Sequence, residues 1–226
     1  EASKGPFGKG GALEWAAVLG DAVSSVALSA LHAFDEKEVQ DSSKNLQVLW
    51  ARALLSGSGE LDDDVAYDLL PESTRGIFAP ENVGMFKELL PWVEWIQSRT
   101  RWIDSATEKF LSSAAANGPA GAQVVVYGAG FDTRSLRFQR DNLRFFEVDL
   151  PDTIAAKRVV HNRFAERRPG ARLPELVGFD LNNAVNASVL DALASQGFRR
   201  DVPTLFIWEA VLFYVEPEAI ARVLEE

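Results

Sequence analysis

Apolar positions recur at helical spacing from residue 12 to about residue 34, and again in "KNLQVLWARALL" at 44–55, and predict two helices. "SGSGELDDD", at 56–64, reads as a loop from its Gly and Ser content, with its acids at the approach to a short helix. The longest helical pattern runs over 86–116, with a break or restart at Pro91. It places Trp92, Trp95, Trp102, Ala106 and Phe110 on one face, and Arg99 on the same face. An arginine among tryptophans either reaches out to water or has its charge met by an anionic ligand or a buried carboxylate.

After "NGPAG" at 117–121 the periodicity changes. "AQVVVYG" is a short, continuous β-branched run, the pattern of a parallel strand covered on both faces. "LRFFEVDL" at 143–150 is a second strand, followed by Pro151 and the helix "DTIAAKRVVHNRFAERR". "LPELVGFDL" at 173–181 is a third, and after the helix "SVLDALASQG" the run at 204–208 is a fourth. Strands alternating with helices of ten or more residues predict right-handed crossovers and a parallel α/β sheet.

Composition narrows the function classes. A net charge of −10 disfavours nucleic acid as a partner, since such proteins need Lys and Arg to displace counterions. Without cysteine there are no disulfides, thiolate zinc sites or cysteine nucleophiles. The two histidines, His32 and His161, lack a ligand partner at helical spacing, so no metal site is expected, and His161 is expected on the outer face of its helix. Glu14 and Asp21 interrupt the most apolar N-terminal stretch, so no membrane association is expected. The chain starts without methionine and stops within "PEAIARVLEE", which suggests a fragment; a cytoplasmic location is expected. The organisation reads as a helical cap over 1–116 and a Rossmann-like core over 117–226.

Ligands of an open parallel sheet sit beyond the C-terminal ends of its strands. There the first strand carries Gly128, Ala129 and Gly130, which permit a tight turn and close backbone approach. The second carries Glu147 and Asp149 on one face, with Asp149 nearer the ligand end. An acid about 20 residues after a glycine turn is the arrangement that hydrogen-bonds a ribose. A dinucleotide fingerprint would need a third glycine where Thr133 stands and would place no acid at Asp132. The departures point from NAD toward S-adenosylmethionine, a nucleoside without phosphates. Asp180 and the backbone of Leu181 then face the adenine edge, Glu209 the cationic amino-acid end, and Arg99 its carboxylate. Each acid also has a plainer reading as a helix cap or a solvated charge. In "DTRSLR" Asp132 reads as a cap, with Arg134 and Arg137 paired to surface carboxylates.

"QVVVYGAGFDTRSLRF", "FFEVDLPDTIAAKR", "GFDL" and "PTLFIWEAVLFYV", in that order and preceded by "SRTRWID", resemble the leucine carboxyl methyltransferase family of class I S-adenosylmethionine-dependent enzymes. The resemblance spans roughly 95–226. It implies a Rossmann-like methyltransferase fold with an N-terminal helical cap, here lacking the strands that follow the fourth. By position, Arg99 matches the family's cofactor-carboxylate arginine and Gly128 lies in its glycine turn. Asp149, rather than Glu147, matches the ribose acid, Asp180 with Leu181 the adenine-edge pair, and Glu209 the acid opening E-x-V-L-x-Y. Ahead of Trp95 the match is loose, in the region that closes the acceptor pocket. The expected reaction is methyl transfer to an oxygen, carboxylate or hydroxyl, of a small-molecule or protein acceptor, with no catalytic residue beyond the cofactor-binding set. The alternatives are a non-catalytic scaffold that binds the same cofactor and a nicotinamide-dependent oxidoreductase.

Overall fold

The computed structural model describes residues 43–70, 83–84, 87, 92–113 and 115–226. The helix expected at 12–34, the break at Pro91 and His32 lie outside the described residues. Compactness divides the chain into two units that meet between Ser98 and Arg99.

In the first unit, helix α1 (Ser43–Gly57) and helix α2 (Asp64–Leu69) flank the expected Gly/Ser loop. Leu46, Leu49, Ala53, Val65 and Leu69 are buried here. Asp63 caps α2 by accepting the Ala66 amide at 3.1 Å, and its other oxygen takes the Arg52 Nε at 2.8 Å. Both charges are buried, so each requires the other.

Helix α3 (Trp92–Leu111) ends a turn earlier than its sequence pattern and buries a different stripe. The buried positions are Val93, Ile96, Thr100, Thr107 and Leu111, with Ile103 partly buried. Trp95 and Trp102 are 46% and 74% exposed, so the tryptophan face is not the covered one. The two stripes have the same period and lie one residue apart, so periodicity alone does not choose between them; packing selects the slimmer aliphatic and Thr side chains.

The second unit is built on strands β1 (Ala122–Tyr127), β2 (Leu143–Asp149), β3 (Glu175–Gly178) and β4 (Thr204–Trp208), all parallel in the order β3-β2-β1-β4. This is the expected α/β, Rossmann-like arrangement. Side chains alternate across the sheet. Val125, Tyr127, Phe146, Val148 and Val177 meet Leu190 and Leu193 of helix α6 (Val189–Ser195) and Ala219 and Val223 of helix α7 (Pro217–Glu225). On the other face Val124, Val126, Phe145 and Ile207 meet Leu111 of α3. Helix α4 (Arg134–Arg137) follows the glycine turn, and helix α5 (Pro151–Arg167) crosses from β2 to β3. The third strand is shorter than expected because Asp180 caps a 3-10 helix, Leu181–Val185, with its Oδ1 accepting the Asn182 amide at 2.9 Å. Among the described residues no helix is long and apolar enough to cross a membrane.

Candidate functional site

The switch in strand order between β1 and β4 opens the crevice in which such sheets hold ligands. Gly128 leaves β1 at φ 61° and Gly130 follows at φ 43°, a left-handed path that favours glycine. Asp149, the last residue of β2, is fixed from both sides. Its Oδ2 accepts the Gly130 amide and its Oδ1 the Leu150 amide, each at 2.7 Å. A carboxylate has about four lone-pair positions, so two remain for further donors. The Asp149 carbonyl accepts the Phe179 amide at 2.8 Å, which registers the β3 tip against that of β2. Asp180 stands exposed just beyond β3 and Leu181 is buried beside it. The cap reading of Asp180 therefore holds for Oδ1, while Oδ2 makes no hydrogen bond among the described residues.

Glu209 follows β4 and is met by two arginines. Arg99 Nε lies 2.7 Å from its Oε1 and Arg134 Nη1 lies 2.6 Å from its Oε2. Arg99 thus reaches the β4 tip, and its charge is met there by a largely buried carboxylate. Ala210 takes φ 56° immediately after Glu209. A non-glycine residue there costs of order 1–3 kcal/mol and marks a backbone held by its surroundings.

The reading of "DTRSLR" as a cap with surface pairs is corrected in its second half. Asp132 Oδ1 accepts the Arg134 amide at 2.7 Å from the position before the N-cap, which is Thr133. Arg134, however, is fully buried and its partners are not on the surface: Asp104 Oδ1 at 2.6 Å, Asp132 Oδ2 and Glu209 Oε2. Arg137 takes the other Asp104 oxygen at 2.8 Å. Burial opposes the Arg134 charge, but Asp132, Glu209 and Asp104 more than offset it and raise its pKa above the ordinary value. The sequence signal for this cluster is an acid and two arginines in a turn that leads off a buried strand.

Glu147 is engaged in a buried pair. Lys157 Nζ of α5 lies 2.7 Å from Glu147 Oε2, and both side chains are fully buried. His161, one turn after Lys157, is 1% exposed, so it lies on the inner face of α5 and not the outer one. The face is set by Thr153, Ile154, Ala156, Val160 and Phe164, whose spacing carries positions 157 and 161 inward with them. Burial and the neighbouring Lys157 hold the His161 pKa well below 6.5. A folded-state pKa below the unfolded one gives stability that is present above pH 6.5 and lost as pH falls. His161→Leu is therefore expected to reduce the loss of urea midpoint between pH 7.5 and pH 5; an unchanged difference would show that His161 does not titrate on unfolding.

The family model for leucine carboxyl methyltransferase matches residues 45–226. The chain belongs to the leucine carboxyl methyltransferase family. Similar proteins, provisionally named S-adenosyl-L-methionine-dependent methyltransferases, occur in Parafrankia sp. (30% identical; 78% of this chain, 49% of that protein) and Mycolicibacterium gilvum (28%; 71% and 50%). Another occurs in Frankia alni (31%; 77% and 59%). The chain spans about half the length of the first two relatives. Leucine carboxyl methyltransferases use S-adenosylmethionine, and the donor set suits it. Acids end or follow β2, β3 and β4, the turn after β1 carries Asp132 in place of a phosphate-binding surface, and the adjoining arginine is engaged by carboxylates.

Proposed function

We propose that the protein binds S-adenosylmethionine at the C-terminal ends of its strands and transfers the methyl group to an oxygen, carboxylate or hydroxyl, of a small-molecule or protein acceptor. The observation that carries the reading is the row of acids at the tips of β2, β3 and β4 beside a glycine turn that itself holds an acid. That arrangement favours a phosphate-free nucleoside bearing positive charge.

In this reading Asp149 accepts from the ribose, Asp180 and the Leu181 backbone meet the adenine edge, Gly128 lets the ligand approach the turn, and Glu209 and Arg99 receive the amino-acid end. The bound cofactor supplies a methyl group already activated by its sulfonium charge. The task of the chain is then alignment and exclusion of water, which can lower a barrier by on the order of 7–11 kcal/mol. An acceptor that arrives ionised needs no general base. His161, buried on the inner face of α5, is unsuited to the role of base for a hydroxyl acceptor.

Calorimetric titration of S-adenosylhomocysteine into the protein, beside an Asp149→Ala variant and an NADH control, tests the proposal. Binding at micromolar concentration, weakened about tenfold or more in the variant through loss of charge-assisted hydrogen bonds, is the expected result. A folded wild type that ignores S-adenosylhomocysteine, or that binds NADH in its place, overturns it. Binding without methyl transfer to any acceptor would leave a scaffold.

A further inference from the structure

Arg134 is the first residue of α4 and no part of a strand tip, yet its guanidinium joins three elements that are far apart in sequence. It meets Asp104 on α3, Asp132 in the turn after β1 and Glu209 beyond β4. The Arg134 side chain is fully buried, and those of Asp132 and Glu209 are nearly so. With Arg99 on one oxygen and Arg134 on the other, the Glu209 carboxylate cannot rotate without breaking a charge-assisted hydrogen bond. Its remaining lone pairs therefore point in fixed directions.

We propose that Arg134 is a positioning residue, which sets the Glu209 carboxylate for the amino-acid end of the cofactor without touching the cofactor itself. The proposal rests on the reading of the site given above. Loss of Arg134 would leave Glu209 held by Arg99 alone and place it near Asp132 and Asp104, whose negative charges would have lost their shared counter-ion. A lysine retains the charge but cannot reach three carboxylates in the plane of a guanidinium. The nucleoside end, read by Asp149 and Asp180, is outside this linkage.

That separation defines the test. Two probes are titrated calorimetrically into the wild type, Arg134→Lys, Glu209→Gln and the double variant: S-adenosylhomocysteine, and 5′-methylthioadenosine, which lacks the amino-acid end. Arg134→Lys is expected to weaken S-adenosylhomocysteine about tenfold or more while changing methylthioadenosine less than about twofold. In the Glu209→Gln background the same substitution should change S-adenosylhomocysteine binding less than about twofold, because the group it acts through is already altered. Equal weakening of both probes shows general damage to the site and overturns the proposal, as does an effect that persists undiminished without Glu209. A wild type that binds neither probe overturns the cofactor reading itself, and this arm is read first. Should Arg134→Lys fail to fold, Asp104→Asn removes the α3 hold on Arg134 from a partly exposed position. It is expected to weaken S-adenosylhomocysteine selectively, by about two- to fivefold; no selectivity between the probes overturns the proposal.

Discussion

Lys157→Met is expected to lower the free energy of unfolding at pH 7.5 by about 3–5 kcal/mol, the usual cost of leaving one member of a buried ion pair without its partner. Glu147 and Lys157 have no exposed side-chain surface, and the ammonium sits 2.7 Å from the carboxylate. Burial already raises the Glu147 pKa above 4.5, Lys157 working against the shift and Asp132 adding to it. Without Lys157 the carboxyl must be neutral or pay the full desolvation of its charge. The pH dependence has a definite sign. A group whose folded pKa lies above its unfolded value contributes stability that is present below the unfolded pKa and lost as pH rises through the folded one. The deficit of the variant should thus be small near pH 4.5 and grow toward neutrality. Glu147→Leu combined with Lys157→Met removes both charges and should recover most of the loss. Urea unfolding of the wild type, Lys157→Met and the double variant at pH 4.5, 6 and 7.5 measures this; a deficit independent of pH would mean that the variant suffers from packing alone.

This pair also explains what could be read in the sequence and what could not. The strands were legible because β1 carries an unbroken Val124–Tyr127 run and β2 is rich in Phe and Val, as a sheet covered on both faces demands. The positions of the glycine turn and of the acids at the ends of β2, β3 and β4 were legible because they depend only on where each strand ends. The α3 tryptophans misled because a helix with two adjacent apolar stripes has no internal signal for which one is covered. His161 misled in the same way: α5 carries polar residues on its inner face, so Lys157 and His161 blur the contrast by which an amphipathic helix is recognised.

The arginine cluster was hidden for a different reason. Arg134 is 30 residues from Asp104 and 75 from Glu209, and no periodicity relates them. Local pattern shows an acid two residues before an arginine and proposes a cap, which is half of what forms. The other half exists only once β1 and β4 lie side by side and bring residues 134 and 209 to one end of the sheet. A cluster of this kind is balanced, with Asp104, Asp132 and Glu209 against Arg99, Arg134 and Arg137. Its net neutrality offsets part of the cost of burying so many charges at one end of the sheet.

The same end of the sheet sets the second large effect, at Gly128. Gly128→Ala is expected to destabilise the protein by about 2–4 kcal/mol, combining a left-handed backbone forced on a side chain with overpacking. At φ 61° a Cβ on residue 128 would lie 2.3 Å from Val211 Cγ2 and 2.5 Å from Val211 Cβ. Rotation about χ1 can move the first of these atoms but not the second, since Cβ is carried by the backbone. That backbone is itself constrained: Ala210 precedes it in a left-handed conformation, and Val211 caps the 3-10 helix Leu212–Tyr214. The segment that would have to retreat is therefore the one that begins at Glu209. Steric loss at Gly128 is expected to appear in ligand affinity as well as in stability, with S-adenosylhomocysteine binding weakened more than tenfold. Val211→Gly in the same chain removes the overlap but leaves the backbone strain, so the double variant should regain part of the stability and retain a deficit of about 1 kcal/mol or more. Urea midpoints and calorimetric affinities of the single and double variants separate the two contributions. Full recovery would assign the whole cost to Val211, and none would assign it to the turn alone.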